Sequence, residues 1–512
     1  MAVFEAVLVL LLAAVALSRL AQRLNAPYPA FLALAGAVLA LSPFAPAFHL
    51  DPALALALFV APVLLDAAYD TSPRDLARNW LSVGSLALFA VALTVGAVAW
   101  LAKTLVPDLP WAAAIALGAI VAPPDAAAAT AVLNQLSPPH RVVVILGGES
   151  LLNDASALLL YRLAVSATLA GGAFHPAAAA PVFLISVAGS LVAGPVLAKA
   201  FMWTTRDLRD APSSIILQFV GTFGVWLLAD RLGMSPILTL VAYAFTIARF
   251  APARTPAALR IPSYAVWETA VLMLNALAFV LIGLQLRPLL ATAPPGELRH
   301  WLIFAGATLG AVIGVRFVWT AIHGLLLALF RIGQPQTREI WKARLVVSWC
   351  GMRGIVTLAA ALALPVGFPH RDLLLFTAFG VALGTLVIQG LSLRPLLLWL
   401  DLHDDRPVER EVRVARHALA RTALQSLEDD ASPEADILRR ELEAEQEAAL
   451  DAERGEYRLV LPLQRLRRRT LPARREKLLL LRRERLIGDD AFHTLEAELD
   501  YAELAASIHA EE

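Results

Sequence analysis

Five ionisable side chains stand out because they lie well inside long apolar stretches: Asp125, Glu149, Asp154, Arg316 and Arg353. An ionised group at mid-membrane depth costs on the order of 3 kcal/mol or more, so each needs a partner, a wet cavity or a function. The run Gly147-Gly148-Glu149-Ser150-Leu151-Leu152-Asn153-Asp154-Ala155-Ser156 holds two of them. On an α-helix Ser150 and Asp154 are one turn apart, as are Glu149 and Asn153. Asp154 and Ser150 therefore share a stripe that offers a carboxylate and a hydroxyl. Oxygen ligands suit a hard cation, and an aspartate can release that cation by taking up a proton. Glu149 points about 140° away from Asp154 at 100° per residue. It needs a partner of its own, because a buried carboxylate without one is neutral or strongly destabilising. Arg316 is the expected partner, and the pair reads as a structural ion pair.

Asp125 follows a break. The segment reads Ala119-Ile120-Val121-Ala122-Pro123-Pro124-Asp125-Ala126, and two consecutive prolines remove two backbone donors and clash with the preceding turn. A helix should unwind there and restart near Asp125, whose carboxylate the positive end of the new helix would hold ionised. The freed carbonyls can face a cation, and unwound backbone at membrane depth is tolerated only where protein buries it or it lines a cavity. A proline kink used for packing is the bland alternative. A second irregularity, Ser348-Trp349-Cys350-Gly351-Met352-Arg353-Gly354, places two glycines around a charge, and Arg353 would compensate the carbonyl ends of that break.

The elements that must position these residues are membrane helices. The chain is 58% hydrophobic, above the roughly 45–50% of soluble domains, and its mean hydropathy is +0.66. Thirteen apolar segments are long enough, or nearly so, to span a bilayer: 3–20, 28–43, 52–66, 80–104, 111–136, 142–170, 178–204, 213–231, 234–250, 265–286, 300–330, 341–364 and 371–400. That pattern excludes a soluble enzyme and predicts an all-α polytopic membrane protein. The first segment lacks a small-residue cleavage site and reads as a retained helix rather than a signal peptide. The single cysteine, Cys350, permits no intrachain disulfide. With thirteen spans and an outside N-terminus, fourteen loop cations, among them Arg74, Arg141, Arg206, Arg254 and Arg331, fall on the inside. Five (Lys103, Arg231, Arg287, Arg299 and Arg371) fall outside. The positive-inside rule then makes the C-terminal segment cytoplasmic.

Two regions follow: residues 1–400 as the membrane domain and 401–512 as a helical cytosolic tail. The tail carries 19 basic and 27 acidic side chains, leaving the membrane part about +8 in a chain of zero formal charge. An arginine cluster in it, Arg465, Arg467, Arg468, Arg469, Arg474 and Arg475, reads as a solvated helix face or as a contact with anionic lipid. No nucleic-acid motif accompanies it. If segment seven is a linker, segments one to six pair with eight to thirteen, and the two breaks fall at corresponding positions. Interrupted helices so placed are the mark of inverted-repeat secondary transporters, with the site at the midplane between the halves.

In order along residues 1–400, these segments resemble the monovalent cation:proton antiporter-1 family, which includes bacterial sodium/proton antiporters and is related to animal sodium/proton exchangers. Gly148-Glu-Ser-Leu-Leu-Asn-Asp154 looks like its most specific string. Pro124-Asp125 stands where the family has Thr-Asp-Pro. Arg316 and Met352-Arg353-Gly354 match two intramembrane arginines, and Phe279-Val-Leu-Ile-Gly-Leu-Gln-Leu286 is a further familiar stretch. The resemblance implies a core domain on a dimer scaffold, homodimers in the cell inner membrane and elevator-like alternating access. It implies no cofactor beyond the transported ions. It also implies that cation and proton share Asp154, with Ser150, Asp125 and Asn153 at the site, and that Asn153-Asp154 marks one-for-one exchange of Na⁺, K⁺ or Li⁺ for H⁺. Pro124 departs from the pattern and removes a hydroxyl ligand. A gated monovalent cation channel would also need acidic groups and broken helices, and stays open as the alternative. An intramembrane enzyme lacks support, since the spans carry no metal motif or Ser/Lys dyad, and His323 is a lone histidine.

Overall fold

The computed structural model describes residues 2–23, 27–42, 52–133, 138–171, 176–292, 294, 296–330, 337–402, 407–454, 460–484, 486 and 489–507. Arg331, one of the inside cations counted above, lies outside them, as do the side chains of Arg465, Arg467 and Arg468. Among the described residues every regular element is a helix, as bilayer spans rich in Ala and Leu require when backbone groups must bond within their own segment. The chain divides into two units, Met1–Asp404 and Asp405–Glu512.

In the first unit all thirteen apolar segments carry helix. Among the described residues eight helices are long and apolar enough to cross a membrane, and four shorter apolar ones (Leu8–Ala21, Tyr28–Ala40, Trp111–Val121 and Pro236–Phe250) accompany them. The most apolar part of the Arg371–Leu400 helix is 72% buried, whereas the figures for Ala211–Arg231 and Leu298–Leu329 are 17% and 22%; the first is therefore central and the other two peripheral. Their exposed faces are apolar, with Val220, Leu227, Leu302, Val318 and Leu325 pointing outward, the inverse of a soluble surface and suited to lipid. Small residues set the closest crossings. Gly36 and Gly283 bring the Tyr28–Ala40 and Ala257–Leu284 helices into backbone contact, where a Cβ on either would collide with the other helix.

Two π-helical turns, Leu56–Val60 and Ser85–Ala90, replace regular helix where the sequence predicts none. Pro62 accounts for the first: its missing N–H leaves the carbonyl one turn earlier unbonded, and widening the turn relieves the clash. Nothing in the sequence explains the second.

In the second unit, Val460–Arg483 and Asp489–Ser507 pair around Leu471, Leu478, Phe492 and Leu499. Arg475 bonds Asp500 and reaches Glu503 at 2.6 Å. Pro407–Ser426 and Pro433–Arg454 form the other helix pair of this unit.

Candidate functional site

Both interruptions are present and they touch. The Trp111–Val121 helix ends before the two prolines, and the chain resumes as Ala126–Leu133. The Arg338–Trp349 helix ends at Cys350, and Ile355–Leu362 begins after Gly354. Asp125 N donates to Met352 O at 2.7 Å, tying one break to the other. Arg353, 1% exposed, fills the space between them. Its Nε donates to Val121 O at 2.9 Å, its Nη2 to Ala122 O at 3.1 Å, and its Nη1 to Gly351 O. These are carbonyls left without an intrahelical partner when the helices stop. Its backbone N–H donates to Thr385 Oγ1 at 2.9 Å on the central Arg371–Leu400 helix. Gly354 lies so close to the Asp125 carboxylate that a Cβ there would overlap it.

The unbroken His140–Leu169 helix carries the remaining groups. Its Asp154 and Ser150 line one cavity of about 1780 Å³ together with Asp125, Thr130 and Tyr28. Asp125 and Asp154 are thus two carboxylates on one cavity wall, and like charges so placed attract a cation or a proton between them. The same wall includes Asp66, Asp70 and Glu268 as well as Arg206, Arg254 and Arg260. Among the described residues no group of three or more His, Cys, Asp and Glu is arranged for a metal ion. The donors at the site are carboxylate, hydroxyl and backbone oxygens.

On the other side of the same helix, Arg316 Nη1 and Nη2 donate to Glu149 Oε1 and Oε2 at 2.5 and 2.7 Å, and Arg316 Nε donates to Val347 O at 3.0 Å. This bidentate pair is fully buried and does not reach the cavity wall. Asn153 shares that side. It is fully buried, its two amide atoms have no hydrogen-bond partner among the described residues, and it is absent from the cavity wall. Of the four residues expected at the ion, the structure gathers Asp154, Ser150 and Asp125 and turns Asn153 away. One helical step of about 100° separates it from Asp154.

Asp66 and Glu268 are acids in or at the end of apolar segments, a signal that could have found them. Tyr28 and Thr385 carry no sequence signal that marks them; packing alone brings them in.

Residues 7–399 match the family described as sodium/hydrogen exchanger, transmembrane. An uncharacterized Na⁺/H⁺ exchanger of Mycobacterium tuberculosis is 30% identical, with 97% of this chain and 95% of its own length aligned. A sodium, potassium, lithium and rubidium/H⁺ antiporter of Bacillus pumilus is 31% identical, over 84% of this chain and 66% of its own length. The solved structure of the sodium proton antiporter MjNhaP1 from Methanocaldococcus jannaschii at pH 8 superimposes with a TM-score of 0.59, over 76% of this chain and 98% of that one. At 18% identity that likeness is one of fold.

Proposed function

The chain belongs to the sodium/hydrogen exchanger family, a family of membrane transporters and not of enzymes, and from that membership we propose that it exchanges a monovalent cation for H⁺ at the cavity lined by Asp154, Ser150 and Asp125. The observation that carries the reading is the convergence of two carboxylates and a hydroxyl on one cavity beside two crossed helix breaks.

Cation and proton compete for Asp154. In the ionised state its carboxylate, the Ser150 hydroxyl and the Asp125 carboxylate coordinate a dehydrated cation. Protonation of Asp154 removes the charge that holds the cation and releases it. Either loaded form lets the site move between the two sides, which is alternating access driven by differential binding. Arg353 neutralises the carbonyl ends that the breaks expose, and Glu149 with Arg316 braces the helix. With one carboxylate trading, exchange is one for one and electroneutral. The two breaks belong to inverted repeats, and the transporter works as a homodimer in the cell inner membrane, with N-terminus outside and residues 401–512 as a cytoplasmic tail. The relatives' names support Na⁺, K⁺ or Li⁺ as the cargo. Pro124 in place of a threonine removes a side-chain hydroxyl from the site and bears on that choice.

Purified protein in proton-loaded vesicles carrying a fluorescent pH indicator tests the proposal directly. Adding Na⁺, K⁺ or Li⁺ in turn should discharge the pH gradient with at least one of them. If none moves protons while the protein is folded and inserted, exchange is not its activity.

A further inference from the structure

We propose that the ion pair between Arg162 and Asp230 is a latch that keeps the exchange site shut on the side away from the cavity, and that it parts in each cycle. The latch rests on the exchange reading above, in which the site opens to each side in turn.

The cavity stops at the ion site. Among the described residues, the His140–Leu169 helix gives its wall Gly147, Ser150, Leu151 and Asp154 but nothing later, and the Pro236–Phe250 helix gives Tyr243, Ala244 and Ile247 but nothing earlier. Past that point the same two helices close on each other. Leu151 and Ala155 belong with Ile237, Leu240 and Val241 to one buried cluster, and Leu158 packs against it. Leu151, Ala155, Leu158 and Arg162 follow at intervals of four, three and four residues, which is one stripe of a helix. Arg162 therefore stands at the far end of an apolar seal, about 12 Å along the axis from Asp154 at 1.5 Å per residue.

There Arg162 Nη2 donates to Asp230 Oδ1 at 2.7 Å. Asp230 lies in the last turn of another helix, Ala211–Arg231, where the helix dipole disfavours an acid unless a cation stands beside it. The backbone behind it is firmly held. Gly233 turns the chain at φ 68° and donates its N–H to Asp230 O at 3.1 Å. Ser235, which caps the next helix, donates its N–H to Ser190 Oγ at 3.0 Å. Both charged side chains are half-exposed, and such a pair shifts an equilibrium by no more than about fivefold. That magnitude suits a latch. The apolar stripe keeps water out, while the pair biases the closed form without preventing it from opening.

The test follows the seal and the flux separately in the full chain. In nanodiscs, Leu158→Cys reports access by its rate of labelling with a soluble maleimide; Cys350 is buried, and protein without the reporter gives the background. Labelling should be slow with the pair intact and up to about fivefold faster with Asp230→Asn or Arg162→Gln. It should slow again when Arg162→Glu is combined with Asp230→Arg. Added salt should speed labelling with the pair intact and leave Asp230→Asn unchanged, because salt screens exposed charges. In vesicles, Arg162→Cys with Asp230→Cys is bridged by a reducible bis-thiosulfonate, which should stop cation-driven proton flux until the bridge is reduced. Equal labelling with and without the pair, or undiminished flux through the bridged protein, overturns the latch. Absence of flux in unmodified protein with every cation removes the exchange reading instead, and labelling then decides by itself whether the pair closes this face.

Discussion

Glu149 and Asp154 are five residues apart on one helix, and the groups they face give them different chemistry. Glu149 is locked by both guanidinium nitrogens of Arg316, whereas Asp154 faces a cavity that it shares with Asp125 and Ser150. Asp154→Asn keeps the shape and removes the titrating group, so cation-driven proton flux should vanish while the unfolding temperature stays close to wild type. Flux retained in a folded Asp154→Asn protein would take this residue out of the mechanism. For the buried pair, Glu149→Ala or Arg316→Ala alone should each destabilise by about 3–5 kcal/mol, because the survivor is a buried charge without compensation. The double variant should lose clearly less than the sum. Thermal melts in detergent measure this, and additive losses would mean that the contact contributes nothing.

At the scale of elements, the two interrupted helices are held by one arginine and one close approach. Asp125 sits against the Cα of Gly354, so Gly354→Ala should push the carboxylate aside, lower stability by about 1–3 kcal/mol by overpacking, and lose exchange. Gly306 is the control, because a Cβ there meets nothing within 4 Å. Gly306→Ala should be neutral or stabilise the helix by about 0.5–1 kcal/mol. Equal losses at both positions would argue against a specific contact. A second link of elements lies outside the spans, where Asp75 in the short Pro73–Arg78 helix meets His140 Nε2 at 3.4 Å. Burial would raise the Asp75 carboxyl, but hydrogen bonds from His140 and Ser72 and the charge of Arg74 hold it below the usual range. A depressed folded-state pKa contributes stability that is present above the unfolded value of about 3.9 and is lost as pH falls through the lower, folded one. Asp75→Asn should therefore lower the melting temperature at neutral pH, and the gap to wild type should narrow progressively as pH falls below about 4. A gap that does not narrow as pH falls below about 4 would assign the effect to packing instead.

For the whole molecule the sharpest consequence is stoichiometry. On the proposed mechanism Asn153 cannot titrate, Glu149 is committed to Arg316, and Asp125 has to keep its charge through the cycle. One exchangeable proton at Asp154 then leaves no net charge to move. A cycle that moved one would respond to voltage by about 2.3 kcal/mol per 100 mV, roughly 40-fold in the balancing gradient. In vesicles clamped with valinomycin, the cation gradient that halts proton flux should not shift with imposed potential. A shift would bring a second carboxylate of the cavity wall, Asp125 or Asp66, into the cycle.

Some of this molecule is written locally and some is not. Hydropathy and helix breaking act between neighbours along the chain, so the apolar segments, the break at Pro123-Pro124 and the one among Gly351 and Gly354 are legible without a fold. The same holds for the one-turn spacing that puts Ser150 on the stripe of Asp154. Contacts between helices are not local. Arg316 lies 167 residues from Glu149, and Arg353 lies 232 from the Val121 carbonyl it caps. Charge alone names candidates for such pairs, but which helix faces meet is set by side-chain packing summed over the whole bundle. The same packing turned Asn153 from the cavity, brought in Tyr28 and Thr385, and opened the space around Asp154. Those facts belong to the tertiary structure, because a cavity lined by several helices requires them to pack around it and no single segment encodes it.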